Sequence, residues 1–137
     1  MLRLMCALCV SLGIAAGTTG CGGNTPVTPT PTPDPVTVLF DGTLNQSSAA
    51  THRFTSQFAG EVRATLTAVQ PDSATVVGLS LGTWNGNSCT IVIAKDNAVQ
   101  GNLVIGNVTG IGELCVRIYD VGLLVEPTTY EITVVHP

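Results

Sequence analysis

The chain has 137 residues, one domain's worth, with five basic side chains against nine acidic ones for a net charge of −4. Charged residues are 10% of it, where an ordinary soluble domain carries roughly a quarter. No basic stripe exists to meet a phosphate backbone, which excludes nucleic acid as a partner, and two histidines with one lysine leave few groups for acid–base catalysis.

In chain order, Arg3 precedes an uncharged apolar run from Leu4 to Ala16, too short to span a bilayer as a helix. It reads as the core of an export signal. Next come Gly17-Thr18-Thr19-Gly20-Cys21-Gly22-Gly23, a small residue before a cysteine and glycines after it. This stretch resembles a bacterial lipoprotein precursor. The resemblance implies cleavage after residue 20 and a lipid (acyl chains, palmitate among them) at Cys21. Gly22 beside the cysteine implies the outer membrane, where the cell has one. The alternative is free secretion after cleavage near Gly17. Loss of Arg3 with the leader leaves a net charge of −5, so acyl chains rather than electrostatics would hold the protein to its membrane.

Residues 21–35 then form a stalk. Asn24 to Pro35 holds five of the eight prolines, mostly alternating with threonine, which favours a polyproline II spacer of roughly 35–40 Å. The domain proper is expected over 36–137. There the dominant period is two: Glu61 to Ala68 alternates polar and apolar, Glu113 to Tyr119 puts Leu114, Val116 and Ile118 on one face, and Thr129 to Val135 does so with Tyr130, Ile132 and Val134. Further strands are expected at Thr37–Asp41, Thr51–Ser56, Ala74–Leu81, Cys89–Ala94 and within Asn102–Val108. Turns are expected at Asp41-Gly42, Ala59-Gly60, Gln70-Pro71-Asp72, Asn85-Gly86-Asn87, Lys95-Asp96-Asn97 and Gly110-Ile111-Gly112. Nothing has helical spacing. About eight short strands predict an all-β fold, a single antiparallel sandwich, jelly-roll-like or immunoglobulin-like.

The cysteines divide by position. Cys6 and Cys9 leave with the signal and Cys21 takes the lipid, so Cys89 and Cys115 remain as a disulfide in an exported protein, with free thiols the alternative. A loop of that length stabilises the fold by roughly 3.5 kcal/mol.

Arg53-Phe54-Thr55, then Ala59-Gly60 leading into the strand at Glu61, resemble the opening of bacterial pre-peptidase C-terminal-type domains. Gly112 to Tyr119 and Tyr130 to Val134 resemble that family's last strands. The similarity covers Val38 to Val135. It implies a non-catalytic β-sandwich; some members of the family bind calcium or extracellular polymers.

Candidate site residues are few. Gly78-Leu79-Ser80-Leu81-Gly82 has the glycine–serine spacing of serine hydrolases, but it continues a strand with no helix behind it, so catalysis at Ser80 is the remote alternative. Gly101 to Gly106 lacks the lysine of a phosphate loop and reads as a turn or an edge bulge. Of the turn carboxylates, Asp96 and Asp120 with Asn97 are the candidate calcium ligands, against a reading of no cofactor at all. Trp84, beside a turn, either closes the core or stacks on a sugar ring. His52 and His136 read as surface residues. The expected function is a non-catalytic envelope lipoprotein whose sandwich binds or builds, with the membrane and an envelope protein or polysaccharide as partners. A calcium- or glycan-dependent module at the sandwich-end loops is the alternative.

Overall fold

The computed structural model describes residues 31–137; the expected signal peptide, Cys21 and most of the stalk lie outside the described residues. Eight strands and no helix occur among them: β1 (Val36–Leu44), β2 (Ala49–Ser56), β3 (Gly60–Gln70), β4 (Val77–Trp84), β5 (Cys89–Ala98), β6 (Leu103–Val108), β7 (Gly112–Tyr119) and β8 (Thr128–His136). All ladders are antiparallel. One sheet runs β1-β8-β3-β6, and the second β2-β7-β4-β5. Strands thus pair first with last and inward from there, and only the β4–β5 hairpin stays within one sheet. This is the winding of a jelly roll rather than of an immunoglobulin domain.

Period-two alternation builds the core directly. Leu66 pairs with Ile132 and Ala64 with Val134 in the first sheet; Leu79 pairs with Ile118 and Leu81 with Val116 in the second. All eight face the space between the sheets and are buried. Each of these side chains except the smaller Ala64 contributes about 1.5–3 kcal/mol by leaving water.

Three expectations about local structure are corrected. The alternation in β3 breaks after Leu66, where a bulge shifts the register. Ala68 then pairs with Glu131, and Val69 takes the inward place expected of Ala68. Asp41-Gly42 is no turn but the middle of β1. Gly42 is needed there because a Cβ would stand 2.7 Å from the Tyr130 hydroxyl. Lys95-Asp96-Asn97 is no turn either; β5 continues to Ala98, since an irregularity in its pairing with β4, between Leu79 opposite Lys95 and Val77 opposite Ala98, accommodates the polar residues without ending the ladder.

The β4–β5 turn forms as expected. The Asn85 carboxamide oxygen accepts from the backbone N–H groups of Asn87 (3.0 Å) and Ser88 (2.8 Å), and Gly86 supplies a φ of 95°.

Candidate functional site

The outward face of the second sheet carries most of the chemistry-bearing side chains. Alternation from the buried Leu79 and Leu81 aims Gly78, Ser80, Gly82 and Trp84 outward on β4. On β7 it aims Cys115, Arg117 and Tyr119 outward, and on β2 Thr51 and Arg53. The register sets Thr51 opposite Arg117 and Arg53 opposite Cys115. The two arginines are therefore diagonal neighbours, about 7–8 Å apart along the pair.

Two features cross β4 on this face, each over one glycine of the Gly78–Gly82 pentapeptide. The Tyr119 ring lies on Gly78, where any Cβ would overlap it, and its hydroxyl donates to the Asp96 carboxylate on β5. Burial and that hydrogen bond push the phenol up to about 12. At the other glycine, β5 itself folds over. Strands two places apart in a flat sheet stand roughly 9.5 Å apart, yet the Cα atoms of Cys89 and Cys115 are 5.8 Å apart and the two residues are joined by a disulfide. The start of β5 curls across β4 until the Thr90 carbonyl sits where a Gly82 side chain would be. Between the two, Ser80 is fully buried, its hydroxyl 3.4 Å from the Arg117 carbonyl. The glycine–serine spacing thus serves packing: the serine meets neither solvent nor a histidine.

The curl makes the face concave. A groove of about 320 Å³ is lined by Ala49, Thr51, Trp84, Asn87, Ser88 and Arg117, with the disulfide at its wall. Trp84 is half-buried on this outer face. The expectation that it closes the core is corrected: one residue step from the inward run sends it out. The Arg53 guanidinium lies 5.0 Å from the centre of its ring, and that of Arg117 lies 5.5 Å from the centre of the Tyr119 ring. Among the described residues the one ion pair is Arg63–Glu61 at 2.7 Å, on the other sheet. Arg53 and Arg117 are thus held by aromatic rings, and neither makes an ion pair among the described residues.

Both histidines are corrected from surface residues to packed ones. Thr51 and Arg53 point outward, so His52 between them points in. It stacks on Phe40 (centroids 4.8 Å, planes 16° apart), and its Nε2 is 2.8 Å from the Tyr130 hydroxyl. Burial holds its pKa below the usual histidine value, opposed by the negative charge of Asp41. His136 is buried against Phe54. The pattern could have placed His52 inward, since it falls in step with Phe54.

The calcium candidates do not lie alike. Asp96 sits in β5 under the Tyr119 hydroxyl, with Asn97 next to it in the same strand. Asp120 follows β7 and organises its own loop: one carboxylate oxygen accepts from the N–H groups of Gly122, Leu123 and Leu124, the other from Ser47. These amides hold its pKa below the usual carboxylate value, with the Ser47 N–H foremost. Among the described residues no three His, Cys, Asp or Glu side chains converge as a metal site would need.

Arg53, Arg117 and Tyr119 are site residues that sequence reasoning missed. Their outward positions were readable from alternation, but their sharing one face depends on the β2–β7–β4 order. No protein-family model matches the chain, and no curated protein matches its sequence.

Proposed function

We propose that this chain is an exported, lipid-anchored envelope protein whose jelly-roll domain acts by binding, without catalysis, at the end of a Thr/Pro stalk. The Cys89–Cys115 bridge carries the reading. Disulfides persist in oxidising compartments, and pairing these two leaves Cys21 as the odd cysteine beyond the signal, where the lipoprotein pattern wants it. The setting of Ser80 supports a non-catalytic role, since a nucleophile must reach substrate and this hydroxyl is covered. Asp120 spends one carboxylate oxygen on three backbone amides and the other on the Ser47 N–H, which favours a role in holding its own loop over one as a calcium ligand.

The test is the intact mass of the protein from the envelope fraction, with and without reductant. A chain starting at Cys21 with acyl groups added, gaining two hydrogens on reduction, is the expected result. An unacylated chain starting near Thr18 would refute the anchor, and an unchanged mass on reduction would refute the bridge.

A further inference from the structure

We propose that the groove on the outward face of the second sheet binds a uronate-bearing saccharide, with Arg117 and Arg53 each taking a carboxylate and Trp84 forming the apolar wall. The proposal deepens the reading of the domain as an envelope binding module and rests on it.

Three observations carry it. The first is charge placement. In a chain with a net charge of −4, neither guanidinium on this face makes an ion pair among the described residues, whereas Arg63 on the opposite sheet is paired. Arg117 lines the groove, and Arg53 stands at its edge over the Trp84 ring, on the side it shares with Glu113. Each guanidinium is held over its own ring, so its side-chain entropy is partly spent before any ligand arrives, and its planar fork suits a carboxylate. The second is size. About 320 Å³ lies at the small end of ligand sites, the scale of one or two sugar rings rather than of a protein–protein face.

The third is the lining. Thr51 and Asn87 bring a hydroxyl and an amide beside an indole, the mixture a polyol with an apolar ring face requires, while the Ser88 hydroxyl is engaged with the Asn85 carboxamide. Asn85 holds the turn through its own side chain, which leaves the Asn87 carboxamide uncommitted. Two guanidiniums on separate rings, diagonal across a strand pair, match one negative charge per sugar ring along a polymer better than one concentrated phosphate.

Trp84 is the single tryptophan, so its fluorescence reports on this groove alone. The full-length chain in detergent micelles is titrated with trigalacturonate, with galactotriose as the uncharged comparison and triglutamate as the acidic peptide. The expected result is a saturable change with trigalacturonate that weakens as salt is added and is absent with the other two. Arg117→Gln is expected to weaken binding about tenfold, the scale of one charge-assisted hydrogen bond. Its thermal midpoint is expected to stay near that of the parent chain. Because Arg117 is half-buried, the exposed Arg53→Gln is measured alongside and is expected to weaken binding in the same direction. No saturable change with trigalacturonate, an equal response to galactotriose, a response to triglutamate alone, or parental affinity in both variants would overturn the proposal. Failure of the anchor reading shows separately, in the mass of the mature chain, and leaves the titration standing.

Discussion

Replacing Gly78 by alanine puts a methyl group into the space held by the Tyr119 ring. The obstruction is the ring itself, so Tyr119 must swing off β4 and release its hydrogen bond to Asp96. Overpacking of this kind costs about 1–3 kcal/mol, and the released bond roughly 1 kcal/mol more, the charged-acceptor value being discounted for a partly exposed pair. Against these stands a gain of about 0.4–1 kcal/mol from the stiffer unfolded chain. The net expectation is a loss of about 2 kcal/mol, or on the order of 10 °C in Tm for a domain this size. A double-mutant cycle isolates the cause. With Tyr119→Ala already in place the three atoms nearest the methyl, all of the Tyr119 ring, are gone, so Gly78→Ala is then expected to be neutral or slightly stabilising, a coupling of about 2 kcal/mol. Urea unfolding followed by Trp84 fluorescence measures all four proteins, with equal m values as the check that only stability has changed. If Gly78→Ala costs as much in the Tyr119→Ala background as in the parent, the ring does not explain the glycine and the reasoning fails.

Four further outcomes are expected. Reduction of Cys89–Cys115 lowers stability by roughly 3.5 kcal/mol; urea curves that coincide with and without reductant would contradict it. His52, whose pKa is lowered on folding, binds more protons when unfolded, so it destabilises the fold progressively as pH falls from about 6.5 through its lowered folded value and has no such effect above pH 6.5. The slope of stability against pH in that range should shrink in His52→Gln, and an unchanged slope would assign the titration elsewhere. Asp120 has the opposite sense of charge: its lowered pKa stabilises the fold above the usual carboxylate value and the effect is lost as pH falls through the folded value. Asp120→Asn should therefore lower Tm at neutral pH and converge with the parent in acid. Ser80, being covered, should resist a fluorophosphonate serine probe under native conditions, and native-state labelling abolished by Ser80→Ala would reopen the hydrolase reading.

The strands were legible in the chain because burial on one face of a sheet writes a period of two into the residues. Leu114, Val116 and Ile118, or Tyr130, Ile132 and Val134, carry that information without knowing their partners. The cysteine pair was legible by subtraction. Misjudged stretches share one physical feature: a local signal with two structural meanings. Asp41-Gly42 has turn chemistry, yet the glycine is there to clear the Tyr130 hydroxyl from the neighbouring strand. Lys95-Asp96-Asn97 is polar enough for a loop, yet its strand continues because the polar groups sit on an edge, with Tyr119 reaching Asp96 from two strands away.

By itself, then, the chain's pattern of residues determined that the domain is all-β, that it has about eight strands, and which aliphatic side chains of the regularly alternating stretches face its core. These depend on properties local to each strand. The tertiary structure alone decided that β2, β7, β4 and β5 lie side by side, that β5 curls over Gly82, and that Arg53, Arg117, Trp84 and Tyr119 meet on one outer face. Many strand orders bury the same alternating faces equally well. What selects among them is the packing of specific pairs far apart in the chain, a ring on a glycine or a carbonyl over another, and such pairs leave no periodic trace along the sequence.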